Sequence, residues 1–465
     1  MKKFLKNITL VLLLLVSATC VFAGCEKPGD PNVPSSTDRV YGNGGLAVTK
    51  GQYLYFLNGY RTYNNVKTDD DNKNVVRGAI YKTKLSATGD LTLDEDGNIV
   101  ESSVERVVDR IACFENGGLY IVGNYLYYAT PNTQDNSVGQ ILNNYVDYCR
   151  VNLSNPSEEQ VLYTSEGAVT NGEWAVYQMD GGIYLVINTG SKIVCVKDGN
   201  KKSVTTMASG VTSAEFWNNE DNHKLSDNEK YIYYTRSVKS SDEVSGGNVL
   251  AKVKIGSSKE IPVMADGSTS YEVVDVANNN VYYKKGTNYV YKANASDFKN
   301  ELKLTYASYD KVYHIENTDV NSTLNRTLVY TASDEKASEG GKTGRLSYYD
   351  NGSVEENVVL DKVDITILDV VGNIVYFYQD STIYKVDILS KKVTKLINGD
   401  NAFSFNTSQN MCFDVDGNYM YFLNGYTPTE ATVYYLSRVD LSNPKTHTFL
   451  GEFVSSEAPE VSEEE

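Results

Sequence analysis

Histidine is almost missing from this chain: His223, His314 and His447 are its only three in 465 residues, and each stands far from the others. That excludes the closely spaced His pairs from which zinc sites are built, and no Gly-x-Ser-x-Gly stretch offers a nucleophile elbow. No apolar run reaches the ~20 residues that a membrane-spanning helix needs, and the apolar core Ile8 to Val16 falls well short. Basic residues are outnumbered, 43 against 60 acids, for a net charge of -17. The balance lacks the basic footprint of nucleic-acid binding and suits solubility outside a cell. The six cysteines have no spacing that resembles a disulfide framework. Cys149 and Cys195, expected at matching positions of adjacent units, read as buried free thiols, and so do Cys113 and Cys412.

Tyrosine is what the chain has in excess, 37 residues against 13 phenylalanines. It suits half-buried strands, where the ring packs and the hydroxyl finds a polar partner. The tyrosines fall in a repeat. Asp416-Gly417-Asn418 opens the strand Tyr419-Met420-Tyr421-Phe422-Leu423-Asn424-Gly425-Tyr426, and Gly51-Gln52 opens Tyr53-Leu54-Tyr55-Phe56-Leu57-Asn58-Gly59-Tyr60. Likewise Arg438-Val439-Asp440-Leu441-Ser442-Asn443-Pro444 repeats Arg150-Val151-Asn152-Leu153-Ser154-Asn155-Pro156.

Weaker copies fill the interval, and eight units of four strands, A to D, can be laid out between them. Tyr53 and Tyr419 are 366 residues apart, or about 52 per unit over seven intervals. Four-stranded units of that length are propeller blades, because one such sheet cannot cover both its faces until neighbours pack on it. The expected fold is therefore an all-β propeller of eight four-stranded blades, with seven as the alternative if the blurred sixth unit belongs to its neighbour. Strand A of the fourth unit is read at Ala214 to Trp217.

Links between strands A and B read as tight Asn, Asp and Gly turns, while long insertions fall on B–C links, at Tyr60 to Val75, Pro131 to Asn144, Ser237 to Gly247 and Ala332 to Gly344. A ring gathers all B–C links on one face, where ligand contacts are expected. Tyr60, Arg61, Tyr63, Asn64 and Tyr426, all expected just past strand B of units one and eight, form the candidate binding loops for a sugar or a peptide. The basic residue recurring on strand C, at Lys82, Arg150, Lys252, Lys292, Lys385 and Arg438, reads as an outward-facing position on an outer strand. The strand-B tyrosines read as packing between blades.

Asp69-Asp70-Asp71-Asn72 and Asp94-Glu95-Asp96-Gly97-Asn98 lack the closing Glu of an EF-hand loop and read as exposed turns, so no metal is assigned. Ser333 to Lys336 with Lys342-Thr343-Gly344 lies in one polar loop and reproduces neither a serine-enzyme site nor a P-loop. No catalytic residue and no cofactor follows from any motif.

At the start, Met1-Lys2-Lys3-Phe4-Leu5-Lys6 and the apolar core read as a signal peptide over residues 1–24. Phe22-Ala23-Gly24-Cys25 resembles the lipobox of bacterial lipoproteins, which implies cleavage before Cys25 and a diacylglycerol, with a further acyl chain such as palmitate, on that residue. Cleavage there removes three lysines and no acid, taking the net charge from -17 to -20. Residues 25–38, with Pro28, Pro31 and Pro34, read as an extended tether, 39–454 as the propeller, and 455–465 as an acidic tail of disordered type.

Strands such as Gly372-Asn373-Ile374-Val375-Tyr376-Phe377 and Ile383-Tyr384-Lys385-Val386-Asp387 carry a family resemblance. The chain resembles the uncharacterised Tyr-rich β-propeller lipoproteins of Gram-positive bacteria, related to the low-density-lipoprotein-receptor-like propeller domain. That resemblance implies blade structure and brings no catalytic residues. The expectation is a lipid-anchored module on the extracytoplasmic face of the cell membrane, binding a protein or carbohydrate partner. The alternatives are a polysaccharide hydrolase or lyase and a passive structural domain.

Overall fold

The computed structural model describes residues 34–449 apart from 36, 58–79, 96, 98, 109–117, 132–144, 166–172, 180, 198–202, 217–223, 278–279, 287–289, 300, 304–310, 316–325, 332–343, 351–352, 354, 399–412, 417, 427–432 and 445–446. Among these residues the chain is strand and turn, relieved by a 3-10 turn at Glu101–Ser103. The strands make eight antiparallel sheets in chain order, seven of four strands and one of five, with sequence neighbours always paired. The arrangement is a β-propeller: first strands of successive sheets lie side by side around the axis, and Tyr421 and Leu436 of the last sheet share a core with the first. The sixth unit forms its own sheet, from Lys311–Ile315 to Asn357–Val363. A short extra strand, Val40–Tyr41, pairs inside strand A of the first blade (Ala47–Lys50), an addition the repeat did not announce.

Strand B runs Tyr53–Leu57, Tyr125–Pro131, Gly182–Asn188, Tyr231–Ser237, Asn280–Lys285, Arg326–Thr331, Ile374–Gln379 and Tyr419–Tyr426 in blades one to eight. In seven of them a tyrosine near its start pairs directly with a basic residue of strand C: Tyr55 with Lys82, Tyr127 with Arg150, Tyr184 with Lys197, Tyr233 with Lys252, Tyr282 with Lys292, Tyr376 with Lys385 and Tyr421 with Arg438. Directly paired residues share a face of the sheet, so the cation lies along tyrosine rings. The Arg150 guanidinium is 4.1 Å from the Tyr125 ring centre, and that of Arg438 is 3.5 Å from the Tyr419 ring centre. In the sixth blade the strands exchange roles, Arg326 on strand B lying over Tyr348 on strand C.

The expectation of an outward-facing base is corrected here. Lys82, Lys252 and Arg438 are buried, at 8%, 8% and 5% exposure. Neighbouring blades cover these positions, and the bases then divide. Lys82 pairs with Glu105 of its own blade at 3.1 Å, and Arg150 bonds Gln160 of its own. Arg150, Lys292 and Lys385 keep partial exposure, and Lys252 and Arg438 reach the next blade. Lys252 donates to the carbonyls of Ala295 (2.7 Å) and Ser296 (3.3 Å) in the C–D turn of the fifth blade, and Tyr233 donates to Ala295 as well, at 3.2 Å. Arg438 donates to the Gly89 carbonyl at 2.6 Å, in the C–D turn of the first blade. At the third seam Tyr184 packs so close to the C–D turn of the fourth blade that a Cβ on Gly256 would meet its ring at 2.9 Å.

The C–D turn is itself fixed. The apolar residue after strand C donates its N–H to the residue before strand B: Leu85 to Gln52, Leu153 to Asn124, Ile255 to Lys230, Ile388 to Asn373 and Leu441 to Asn418, at 2.7–3.0 Å. An Asx turn follows, Ser154 donating to the Asn152 side chain at 2.9 Å and Ser442 to that of Asp440 at 2.8 Å. The repeated Val-Asp-Leu-Ser stretch is therefore a turn whose leucine plugs the seam and whose Asp or Asn shapes the loop. Fully burying each such leucine is worth ~1.5–3 kcal/mol.

Two further expectations shift. Cys149 and Cys195 are buried free thiols, but they do not match in position. Cys149 pairs with Tyr128 and packs in the core shared with the first blade, whereas Cys195 pairs with Val186 and packs in the core shared with the fourth. Near the start of the described residues, Ser35 donates to the Asp38 carboxylate at 2.8 Å and buried Lys50 donates to the Asp38 carbonyl at 3.4 Å. Strand A of the fourth blade is Val211–Glu215 rather than Ala214 to Trp217.

Candidate functional site

Antiparallel order places all B–C and D–A links on one face of the ring and all A–B and C–D links on the other. B–C links are long in blades one, two, four and six, at residues 58–79, 132–145, 238–247 and 332–343, and short in blade three (189–191) and blade seven (380–381). The A–B links are not uniformly tight, as expected, because residues 216–230 and 316–325 are long links in blades four and six. Tyr60, Arg61, Tyr63 and Asn64 lie outside the described residues, as do Cys25, His223 and the polar loop 332–343. Tyr426 is the last residue of strand B, paired with Val433, and does not stand beyond the strand. Near Asp94, Gly97 donates to the Asp94 carbonyl at 3.1 Å and Leu93 bridges Ile99, which makes that acidic run a hairpin turn.

The long B–C link that is described, 238–247, is locked in place. Arg236 at the end of strand B is 1% exposed and spends every guanidinium nitrogen. It grips Asp242 of the loop at 2.8 and 3.0 Å, Glu260 of strand D at 2.8 and 2.6 Å, and the Ser237 carbonyl at 2.9 Å. These bonds hold the Asp242 carboxyl down at about 2 and keep Glu260 below its ordinary range despite burial. Lys239 and Tyr234 complete the shell of Glu260 at 3.1 and 2.7 Å.

The loop then presses on the link to the fifth blade. A Cβ on Gly247, whose φ is +68°, would sit 2.3 Å from the Thr269 carbonyl oxygen. Asp266 ties that link by accepting from Ser268 and Thr269, while Asn248 and Tyr271 exchange two bonds of 2.7 and 2.6 Å across the seam. The result is a rigid corner over blades four and five that offers Ser240, Ser241, Glu243 and Ser245 to solvent.

A second feature was missed in the sequence. The residue of strand A that pairs with the strand-B tyrosine is acidic in four blades: Glu215, Asp275, Asp369 and Asp414. In three of them the signal was legible, an Asp-Val just before the Asn or Gly turn at Asp275-Val276, Asp369-Val370 and Asp414-Val415. Asp275 and Asp369 sit at register shifts and accept the next residue's N–H at 2.7 Å. Burial, with Glu173, Asp275 and Glu272 nearby, raises the Glu215 carboxyl well above the ordinary glutamate range. Burial likewise pushes Glu173 up to about 6, although its own surface is exposed at the start of strand A of the third blade. Chemically, such a carboxyl can hold or deliver a proton near neutral pH. No group of three or more His, Cys, Asp or Glu suited to a metal ion occurs among the described residues.

No protein-family model matches the chain, and no curated protein matches it. Among solved structures it is similar to a prolyl endopeptidase, at 10% identity over 87% of this chain and 55% of that one, with a TM-score of 0.43. It is similar also to oligopeptidase B from Leishmania major, at 12% identity over 72% of this chain and 48% of that one, TM-score 0.44. An oligogalacturonate lyase from Vibrio parahaemolyticus matches at 11% identity over 69% of this chain and 88% of that one, TM-score 0.40. The chain spans about half the length of the two peptidases. No residue role passes from these proteins to this chain.

Proposed function

We propose that the chain is a lipid-anchored lipoprotein on the extracytoplasmic face of a bacterial cell membrane, whose propeller recognises a protein or glycan partner through the face that carries the B–C links. The observation that carries this reading is the described B–C link at 238–247, one of four long B–C links on that face, which Arg236 holds in one conformation over a ring of blades. A rigid frame that displays variable loops binds without the entropy cost of ordering them. Cys25 supplies the anchor, and Tyr60, Arg61, Tyr63, Asn64 and Tyr426 supply the aromatic and polar contacts.

Two experiments test it. Cys25→Ser moves the chain from the detergent phase to the aqueous phase in a phase-partition assay, and unchanged partition rejects the anchor. Glycan and peptide arrays probed with the Cys25→Ser chain give hits that Tyr60→Ala with Tyr63→Ala abolishes, and hits that survive reject that location.

A second reading, a polysaccharide hydrolase or lyase, is favoured by the inner-strand carboxyls around Glu215. Under that reading, Glu215→Gln eliminates release of reducing ends or unsaturated products from acidic polysaccharides. Equal release by both forms removes it.

A further inference from the structure

We propose that the outer edge of the seventh blade is a docking edge for an extended, acidic peptide segment of a partner protein, which adds to the sheet as a fifth strand. Strand D of this blade, Lys392–Asn398, ends its sheet, and no strand lies beyond it among the described residues. Such an edge presents unpaired backbone N–H and C=O groups, and proteins ordinarily blunt it.

Most of the other described edges are blunted or short, and that of the third blade is open but uncharged. The fourth blade places Pro262 in its outer strand, the fifth offers two residues at Leu302–Lys303, and the sixth turns at Lys362, whose φ is +56°. Acids mark the outer strands of the first two blades, at Glu105, Glu158 and Glu159, and Val204–Ser209 of the third carries no charge. The seventh edge has seven residues, without proline, glycine or acid.

Its side chains specify the occupant. Lys391, Lys392 and Lys395 are exposed, and none has an ion-pair partner among the described residues. Leu389 and Val393, in the same stretch, are exposed at 46% and 44%, among the few large apolar side chains so open. In strand addition the backbone supplies affinity and alternate side chains supply selectivity. Lys392 and Lys395 point to opposite faces of the strand, so the lysines repel a second copy of the same edge and attract a strand with acids on both of its faces. On a chain of net charge -17 this basic strip also stands against the general field and steers an acidic segment to one place.

The probe is a fluorescein-labelled heptapeptide, Val-Glu-Glu-Val-Glu-Glu-Val, with acids on both faces, used with the full chain in detergent. Controls are its Lys–Val counterpart and the same acidic peptide N-methylated at alternate amides. Expected are binding of the acidic peptide alone, weaker binding at high salt, slowed amide exchange confined to 392–398, and a loss of at least about tenfold in the Lys391→Glu, Lys392→Glu, Lys395→Glu triple variant. The triple Gln variant shows an intermediate loss, and unchanged melting of both variants certifies their folding. Absence of binding, protection at another edge such as Val204–Ser209, equal binding by the triple Glu variant, or full binding of the N-methylated peptide each overturns the proposal.

Discussion

Ring closure makes the sharpest claim on stability. The first and last sheets share no strand, so among the described residues the seam between them is held by side chains alone, with Arg438 at its centre. Its guanidinium is 3.5 Å from the Tyr419 ring centre and 5.9 Å from that of Tyr421, and it donates to the Gly89 carbonyl at 2.6 Å. A charged hydrogen bond of this kind is worth ~1.5–3 kcal/mol, and a desolvated cation on a ring about 2 kcal/mol. Relief of the cost of burying the cation offsets part of the loss. The net cost of Arg438→Ala is therefore about 3 kcal/mol, and Lys at this position, unable to span both contacts, recovers about half. Arg150→Ala, whose guanidinium is half-buried and bonds Gln160 within its own blade, costs about 1 kcal/mol or less. Hydrogen exchange reads the effect with spatial resolution: Arg438→Ala speeds exchange at 85–90 and 419–422 and leaves 231–236 unchanged. A double-mutant cycle with Tyr419→Leu gives a coupling of about 1–2 kcal/mol. Exchange that rises evenly around the ring, or an Arg438 variant no weaker than the Arg150 one, refutes the latch.

The inner-strand carboxyl predicts a pH dependence. Because burial raises the Glu215 pKa, the folded state holds its proton more tightly than the unfolded chain, so ionisation at neutral pH lowers stability, and the penalty vanishes below about pH 4, where both states are protonated. Glu215→Gln therefore melts higher than the parent at pH 8 with no difference near pH 4, and an equal gain at both values contradicts this. Burial pushes the Cys195 thiol up to about 12, so a variant keeping Cys195 alone reacts with Ellman's reagent only after denaturation, and labelling of the native form refutes the packing. Gly247→Ala, which forces a Cβ to 2.3 Å from the Thr269 oxygen at a φ of +68°, lowers stability by roughly 2 kcal/mol or more in thermal melts.

Much of the fold was legible because the repeat and the two-residue alternation report on the same thing. The strand Val104–Val108 of the first blade and Glu260–Met264 of the fourth fall where the alternation puts them, and the tyrosines Tyr55, Tyr127 and Tyr421 are buried between blades as the pattern implies. The strand-C base was misread for a physical reason. Alternation says which residues share a face and says nothing about whether that face meets water: Lys82, Lys252 and Arg438 are covered by a neighbouring blade, whereas Lys197 is exposed. Lys197 is absent from the recurring set read in the sequence, although it closes strand C of the third blade, Lys192–Lys197. The link around Arg236 was hidden for another reason, since Arg236, Asp242 and Glu260 come from a strand, a loop and the next strand but one, a conjunction that only the folded sheet creates. The inner carboxyls could have been found. The recurring Asp-Val ahead of an Asn or Gly turn is visible in the sequence, and the cross-strand tyrosine that makes these acids a set becomes visible only with the register.

The direction of the latch bears on where recognition can reside. The two bases that cross a seam reach forward, from the fourth blade to the fifth and from the eighth to the first, so each of those receiving blades is clamped by its predecessor at the C–D turn. That turn belongs to the face opposite the long B–C links. The C–D face therefore carries the strand-C latch, where a substitution loosens a seam. The seam contacts of the other face, such as the Asn248–Tyr271 exchange, do not use the strand-C base and stand beside insertions such as 238–247. In the fourth blade the two roles meet, because Tyr233 and Lys252 serve the seam while Arg236, on the opposite sheet face three residues later, serves the loop. Removing the loop's anchor with Arg236→Met strands Asp242 and Glu260 and costs about 3 kcal/mol, yet it leaves the Lys252 bonds across the seam intact. Under the proposed function that variant stays a closed ring and loses the conformation of one recognition loop. Exchange at residues 238–247 and at 295–296 measures the two separately. Release of both together would show that loop and seam are one cooperative unit, and would remove the division of labour between the faces.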